Sequence, residues 1–401
     1  MTSIAPVQRP VLWLQVWGLA GMQGAIALLW VIYNLYLPQL LGQFGWPVGV
    51  ATTLLVVENL MAAVMEPVMG NFSDYRQRWV GSRLPLIALG VILTSAFSMA
   101  MPVVAVWGTA SVGRMLMPAI AILWALAMTV FRSPMLSLLG RYAFGSGLPR
   151  AASVLTLVGA LAGAMAPLAG QWILQWGAIA TFSLGTFILL AAALVLRWVS
   201  PPASPPEGVI DVESGNLPGR AIAIRPLALI FGAGMFVAIG FRLMMQTFPA
   251  VLQVNPAMNV GLTLGIIFLA VAVTAIPAGS LAAAIGNRKA MVLGLGVMAV
   301  GVLLILVAQT PLVAGGVAIA LGSAFSLVSN GTLPFALSLV PSEKAGLGTG
   351  MFFSGGAIGT SLFFEVFKNS EVAVGAIVGA TAFGLAGLCV MLASEKRGGD
   401  R

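Results

Sequence analysis

The sequence contains no histidine and only one cysteine, Cys389, and it is poor in charge. Without histidine, the commonest metal ligand and general base is missing, which argues against a Ser-His-Asp triad or a histidine metal site. A single cysteine excludes an internal disulfide. Charged residues make up only 7% of the 401 residues, whereas soluble domains carry about 25%. These absences argue against a secreted disulfide scaffold and against a cytosolic enzyme of usual composition.

What the chain has instead is long apolar runs, and 60% of its residues are hydrophobic. A helix that crosses a bilayer needs about 20 apolar residues. Runs of that kind predict an all-α polytopic membrane protein with twelve transmembrane helices. Their expected positions are residues 13–40, 48–70, 84–101, 105–131, 151–173, 178–197, 226–250, 260–285, 291–309, 312–340, 347–368 and 372–393.

The positions of lysine and arginine predict the orientation of these helices. With a cytoplasmic N-terminus, 16 of the 19 basic residues fall on the cytoplasmic side, as the positive-inside rule requires. These are Arg9, Arg76, Arg78, Arg83, Arg132, Arg141, Arg150, Arg197, Arg220, Arg225, Arg288, Lys289, Lys344, Lys396, Arg397 and Arg401. We therefore expect a multi-pass protein of the cell inner (plasma) membrane with both termini cytoplasmic. The net charge of +8 then needs no nucleic-acid partner, and the first run is too long for a signal peptide.

The longest polar interval divides the chain into two halves. It opens with Pro201-Pro202-Ala203-Ser204-Pro205-Pro206, a composition typical of an extended linker. We predict an N-terminal six-helix half over residues 1–199, a cytoplasmic linker over 200–225 and a C-terminal six-helix half with a short cytoplasmic tail over 226–401. Similar segments, Pro134-Met135-Leu136-Ser137-Leu138 and Pro334-Phe335-Ala336-Leu337-Ser338-Leu339, end the fourth and tenth runs. Two pseudo-symmetric halves around a midplane site are typical of transporters.

One segment of the chain reads Gly70-Asn71-Phe72-Ser73-Asp74-Tyr75-Arg76-Gln77-Arg78-Trp79-Val80-Gly81-Ser82-Arg83. This segment resembles the cytoplasmic signature of the major facilitator superfamily. With Glu66-Pro67 before it and Leu84-Pro85 after it, the lengthened form is similar to the glycoside–pentoside–hexuronide:cation symporters and the sucrose transporters. Phe131-Arg132-Ser133-Pro134 resembles a sucrose-transporter segment. The resemblance implies the major facilitator fold and transport of a solute.

The resemblance also implies roles for particular residues. Glu66 matches the inner of two acids that bind the coupling cation in melibiose-type symporters, whereas the outer position is Ala62 and Glu58 lies one turn further out. The sugar-binding acid of those permeases falls at Arg132, and their first-helix acid falls near Gln23. Arg132 instead matches the arginine that holds substrate in sucrose transporters.

Ionisable groups inside a span are costly, so each is a functional candidate. Glu58 and Glu66 are eight residues apart, which places them about 80° apart around one helix and about 12 Å apart along it. A carboxyl group that alternates between an apolar environment and an arginine can bind and release a proton. We predict proton or cation coupling at Glu66 and Glu58. Alternatively, Glu58 pairs permanently with Arg114, and Glu66 makes a fixed contact with the basic loop.

The predicted substrate contacts lie mainly in the first and fourth helices. Arg132 offers a planar set of donors for hydroxyls or a carboxylate, although it is equally an anchor at a helix end. Trp30, Tyr33 and Asn34 share one helix face and suit sugar stacking, or else form part of an interfacial aromatic belt. Further candidate substrate contacts are Gln23, Trp124, Gln246 and Asn330.

The remaining charged candidates predict ion pairs and gates. Asp74 with Arg76, Arg78 and Arg83 is interpreted as a latch between helices that biases the inward–outward equilibrium. Arg242 and Glu365 are predicted to pair as an extracellular gate; alternatively, they are a snorkelling arginine and a surface glutamate. Arg114 belongs to this group through its possible pairing with Glu58.

We predict a secondary active transporter that moves a small polar solute, with a sugar or glycoside expected, by proton- or cation-coupled alternating access. No enzymatic activity, cofactor or metal is expected, and the sequence lacks a G-x-x-x-x-G-K-[ST] nucleotide motif. The expected partners are a small-molecule substrate, a proton or monovalent cation and the lipid bilayer, with the chain as a monomer. Two alternatives remain: an exporter of amphipathic compounds or drugs, and a non-transporting membrane protein on the same fold.

Overall fold

The computed structural model describes residues 10–47, 49–201 and 223–393. The predicted linker lies outside the described residues between 202 and 222, as do residues 1–9 and the tail 394–401. The predicted cytoplasmic positions of Arg9, Arg220, Lys396, Arg397 and Arg401 therefore stay predictions.

Twelve long apolar helices, α1 to α12, form the described part of the molecule, and each is long enough to cross a bilayer. Apolar side chains on their outer surfaces, such as Trp198 (87% exposed) and Leu312 (87% exposed), suit contact with lipid. The helices are α1 Trp13–Gln43, α2 Gly49–Val80, α3 Leu84–Trp107, α4 Ala110–Leu136, α5 Gly147–Gln175, α6 Ala178–Val199, α7 Ile224–Leu252, α8 Val260–Ile285, α9 Asn287–Leu304, α10 Pro311–Ser338, α11 Ala345–Leu362 and α12 Val372–Leu392. The predicted number of spanning helices is confirmed.

Two helix boundaries differ from the prediction for identifiable reasons. The predicted second span ends at residue 70, but α2 continues to Val80, so most of the signature segment is helical and the turn is confined to residues 81–83. Gly81 ends the helix with φ 72°, a conformation that glycine adopts without steric cost. The fourth helix begins at Ala110 instead of 105, because the Thr109 hydroxyl accepts a bond from the Val112 backbone N–H (3.4 Å) and caps it.

The buried apolar side chains form two main clusters. One lies almost wholly within α1–α6, and the other lies within α7–α12. The two sets of helices meet where α2 packs along α11, which we call the α2–α11 seam, and where α5 packs along α8 and α10. Ala160 of α5 packs with Val271 and Ala272 of α8 in a small cluster of their own. The charged side chains described next lie along or beside the α2–α11 seam.

Candidate functional site

Glu66 of α2 forms a buried ion pair with Arg132 of α4. The Arg132 Nη2 and Nε atoms lie 2.5 and 2.7 Å from Glu66 Oε1, and the Ser133 hydroxyl donates to Oε2. Glu66 is completely buried, so this pairing replaces the water that a charged carboxylate would need. Sequence reasoning treated Glu66 and Arg132 as separate candidates and missed Ser133, although it directly follows Arg132.

This ion pair touches the opposite set of helices. The Arg132 guanidinium lies over the ring of Phe353 in α11, 4.6 Å from its centroid. A β-carbon at Gly350 of α11 would collide with the carbonyl oxygen of Glu66, so the two backbones are in direct contact there. The pair therefore sits at the α2–α11 seam, where any separation of α2 from α11 would alter the surroundings of its charges.

Glu58 lies two turns away on α2 and has a different environment. The Tyr33 hydroxyl of α1 donates to Glu58 Oε1, whereas Oε2 has no hydrogen-bond partner, and the side chain is only 3% exposed. Among the described residues, no lysine or arginine forms an ion pair with it. The alternative pairing of Glu58 with Arg114 is wrong. Arg114 lies near the start of α4, with its guanidinium 5.2 Å from the Trp46 ring centroid.

Tyr33 belongs to a cluster of three aromatic rings. Tyr33 stacks on Trp124 of α4 with centroids 4.3 Å apart, and Trp30 packs edge-on to Trp124 at 4.9 Å and to Tyr33 at 5.7 Å. Tyr33 and Trp124 are fully buried, while Trp30 is half-buried. The indole Nε1 atoms of Trp30 and Trp124 have no hydrogen-bond partner. The three rings thus form one cluster beside Glu58, with two indole donors left free.

The amide side chains predicted as substrate contacts are mostly engaged by backbone carbonyls. Asn34 Nδ2 donates to the Trp30 carbonyl (2.7 Å), Gln246 Nε2 to that of Lys368 (2.8 Å), and Asn330 Nδ2 to that of Ala275 (2.8 Å). Asn330 is fully buried between α10 and α8 and serves to hold those helices together. Gln23 lies beside Gly159 of α5, and its Oε1 atom has no partner.

The second set of helices contributes phenyl rings near the α5–α8 contact. Phe241 of α7 stacks on Phe325 of α10 with centroids 4.6 Å apart, and Phe268 of α8 packs edge-on to Phe241 at 6.4 Å. Phe268 reaches α5, because a β-carbon built on Gly163 would lie 3.0 Å from its ring. This phenyl cluster, Phe241, Phe268 and Phe325, is apolar, in contrast to the acid-bearing α2.

Asp74, near the end of α2, joins four segments at the end of the bundle predicted to be cytoplasmic. Its Oδ1 atom accepts from Arg83 (2.6 Å) and from the Gly346 backbone N–H (2.9 Å), and Oδ2 accepts from the Leu347 N–H (2.8 Å). Arg83 also donates to the Ser137 hydroxyl, which follows α4. A carboxylate at the start of a helix is favourable because free N–H groups point toward it. Arg76 and Arg78 are exposed and make no ion pair with Asp74 in the described conformation, so among these arginines Arg83 alone is paired with it.

At the opposite end, the predicted pair of Arg242 with Glu365 does not form among the described residues. The Arg242 guanidinium lies 5.4 Å from the Phe364 ring centroid, and no ion pair with Glu365 forms among the described residues. Glu365 falls in a π-helical segment, Phe363–Phe367, whose wider turn redirects its side chains relative to a regular α-helix. The contact across the seam here is instead Lys368 Nζ to Thr52 Oγ1 at 2.8 Å.

Comparison with known proteins gives a family and a fold. The family described as Major Facilitator Superfamily matches residues 19–364. No curated protein sequence matches the chain. The human organic anion transporter MFSD10 (TETRAN) shares 13% identity over 95% of this chain and 100% of that one, with a TM-score of 0.71.

Two further solved structures are similar at low identity. The proton:xylose symporter XylE shares 12% identity over 94% of this chain and 93% of its own, with a TM-score of 0.72. A bacterial homologue of the iron transporter ferroportin shares 16% identity over 94% and 98%, with a TM-score of 0.72. At these identities the likeness is one of fold, and it confirms the predicted twelve-helix fold.

Proposed function

Because this chain belongs to the major facilitator superfamily, we propose that it is a proton-coupled secondary transporter that carries an amphipathic organic solute by alternating access. The resemblance to the superfamily is thus confirmed, while the closer resemblance to the glycoside and sucrose branch stays a prediction. In the proposed cycle, α1–α6 rock against α7–α12, and the α2–α11 seam opens at one end at a time.

The proposal of proton coupling rests on one observation: two buried glutamates on the same helix have different hydrogen-bond and charge partners. Glu66 has a cationic partner in Arg132, whereas Glu58 has only the Tyr33 hydroxyl. A carboxylate without a counter-charge in an apolar interior is costly, so Glu58 carries a proton in this conformation. Glu66 is ionised beside Arg132, and it takes up a proton when movement of α11 withdraws Phe353 and changes the position of Arg132.

The choice of an amphipathic solute follows from which polar groups are free. The amides of Asn34, Gln246 and Asn330 already donate to backbone carbonyls, so each has one of its N–H donors committed within the protein. The phenyl cluster supplies apolar surface instead. A solute with an aromatic or aliphatic body and one polar group fits this lining better than a polyhydroxylated one.

Flux measurements in proteoliposomes test the proposal. We would measure accumulation of labelled amphipathic compounds and sugars, with and without an imposed pH gradient, for the wild type, Glu66→Gln and the control Glu371→Gln, whose glutamate is exposed beside α12. The wild type and Glu371→Gln are expected to accumulate solute only with the gradient. Glu66→Gln is expected to lose accumulation but keep downhill exchange, because only the proton step is removed.

Each other outcome has a defined meaning. Full gradient-driven accumulation by Glu66→Gln would contradict coupling at this residue. No flux for any compound would favour the non-transporting alternative.

Sugar transport is the second candidate, and one observation favours it. The indole N–H groups of Trp30 and Trp124 are buried without partners, and they could donate to sugar hydroxyls during the cycle. The neighbouring structure XylE is named as a xylose symporter. Gradient-driven accumulation of a pentose or hexose, with no accumulation of amphipathic compounds, would select this candidate.

A further inference from the structure

Arg242 of α7 is a charged side chain that the coupling scheme does not use. It lies eighteen residues into a 29-residue apolar helix, a depth at which charged groups are expensive and are normally paired. Among the described residues the ion pairs are Arg83 with Asp74 and Arg132 with Glu66. The guanidinium of Arg242 contacts the ring of Phe364, which offers no counter-charge.

The surroundings of Arg242 indicate that its side chain faces a space within the protein and not the lipid. Its guanidinium lies against the ring of Phe364 on the facing segment, yet the side chain is exposed. A side chain facing lipid would have protein on one side only. Contact with the facing helix together with exposure is expected of a residue that lines an opening between α7 and α11.

The packing of α7 against α11 changes at the level of Arg242. Along most of their contact the backbones touch, since a β-carbon at Gly355 would collide with the Phe231 carbonyl and one at Gly359 with that of Met235. Arg242 lies one turn beyond Ala238, which also faces Gly359, and so shares this face of α7. There α11 changes to its π-helical segment and presents Phe364 in place of glycine. At this level two large side chains, Arg242 and Phe364, therefore meet between the helices.

The neighbouring charged residues do not neutralise the positive charge of the Arg242 guanidinium. Glu365 is the nearest acid in sequence on the facing segment, but it forms no ion pair with Arg242 in the described part of the chain. Lys368, one turn further along, donates to Thr52 and adds positive charge to this end of the seam. A planar guanidinium with free donors matches a carboxylate or sulfonate.

We infer that Arg242 and Phe364 form the part of the substrate site that binds the anionic group of an amphipathic organic monoanion. This inference rests on the proposed transport function and names its substrate class. The guanidinium holds the carboxylate or sulfonate, while Phe364 and the phenyl cluster contact the apolar body. A proton moved together with such an anion makes the transported pair neutral.

Three probes with the same ring system and different charge test the inference. Binding of 2-naphthoate, 2-naphthalenemethanol and 2-naphthylmethylammonium to the purified full-length protein would be measured by isothermal titration calorimetry. We expect 2-naphthoate to bind at least about tenfold more tightly than the alcohol, and the ammonium compound to bind most weakly. Arg242→Gln should bind naphthoate and the alcohol equally, and Arg242→Lys should keep part of the preference.

Arg114→Gln is the matched control, because it removes another arginine of a spanning helix that instead lies over Trp46. It should bind all three probes as the wild type does. Retained binding of the alcohol by Arg242→Gln shows that this variant is folded. Three results would each overturn the inference. They are equal affinities of the wild type for the three probes, tightest binding of the ammonium compound, and a preference for the anion that survives in Arg242→Gln.

The inference and the proposed function fail in different measurements. Anion-selective binding without any gradient-driven flux would contradict the proposed function and leave the anion site standing. Gradient-driven flux that prefers the alcohol or the ammonium compound to naphthoate would contradict the anion site alone.

Discussion

At the scale of single residues, the contact between Tyr33 and Glu58 is one that sequence reasoning could not supply. Tyr33 was a candidate for substrate contact and Glu58 a candidate for coupling. Hydropathy and spacing show which face of a helix a residue occupies, but they do not show which neighbouring side chain it contacts. The bond depends on how α1 is rotated against α2, and on the direction of the Tyr33 side chain, which stacks on Trp124 of α4. A buried carboxyl with one neutral donor is therefore a property of the tertiary structure.

A double-mutant cycle should detect this bond. Tyr33→Phe removes the hydroxyl that donates to Glu58 and should lower stability by about 1–3 kcal/mol, the cost of leaving a buried polar group unpaired. Glu58→Gln in the Tyr33→Phe background should then cost less than in the wild type, with a coupling energy of about 0.5–3 kcal/mol. Denaturation of the purified protein in detergent measures both.

The control is Tyr36→Phe, one turn further along the same helix. The Tyr36 hydroxyl is also buried but donates to the Ile173 carbonyl at 2.8 Å. Its effect should add to that of Glu58→Gln without coupling. Additive effects for Tyr33→Phe as well would show that its hydroxyl does not contact Glu58 in solution.

At the scale of helices, glycine decides how closely α11 approaches its neighbours. Gly346 faces Gly70 and Asp74 at one end of the α2–α11 seam, and further glycines of α11 face α7. At the opposite end of the molecule, Gly261 of α8 faces the Pro167 carbonyl of α5. An added methyl group at either position would force apart the helices at that end only.

Alanine at these two positions should therefore shift the conformational equilibrium in opposite directions. Gly346→Ala places its β-carbon 2.8 Å from Asp74 Oδ1 and should open the end predicted to be cytoplasmic. Gly261→Ala places it 2.8 Å from the Pro167 carbonyl and should open the other end. Spin-label distances between Arg76 and Glu343 at the first end, and between Trp107 and Val254 at the second, would measure each shift in a Cys389→Ala background.

Glycine at position 315 provides the control, because a β-carbon there meets nothing within 4 Å. Gly315→Ala should leave both distances unchanged. Longer distances at the same end in both test variants would contradict the assignment of one glycine contact to each end.

Helix number and approximate limits could be predicted from the sequence because the thickness of the bilayer fixes the length of an apolar run. The extension of α2 to Val80 could not, since the added turns are polar and are stabilised by contacts with distant segments, above all Asp74 with the Gly346 and Leu347 N–H groups. The missing Arg242–Glu365 pair has a similar origin. It depends on a π-helical segment that no periodicity in the sequence indicates.

At the scale of the whole molecule, the two sets of helices touch at both ends of the α2–α11 seam. Lys344 Nζ donates to Asn71 at one end, and Lys368 Nζ donates to Thr52 at the other, each at 2.8 Å. With both ends in contact, Glu66 and Arg132 lie between two closures. Alternating access requires that each closure breaks in turn, so neither contact can be permanent during transport.

Cross-linking tests this requirement directly. Cysteine pairs at positions 71 and 344, or at 52 and 368, in a Cys389→Ala background would be joined with a short, reducible thiol cross-linker. Either cross-link should abolish net gradient-driven transport, and reduction should restore it, because a rocking molecule needs both closures to open. A pair at 255 and 309 is the control: Asn255 Nδ2 donates to the Gln309 carbonyl at 3.1 Å within α7–α12, so this cross-link should leave transport intact. Transport that continues after joining either seam pair would contradict rocking about the α2–α11 seam.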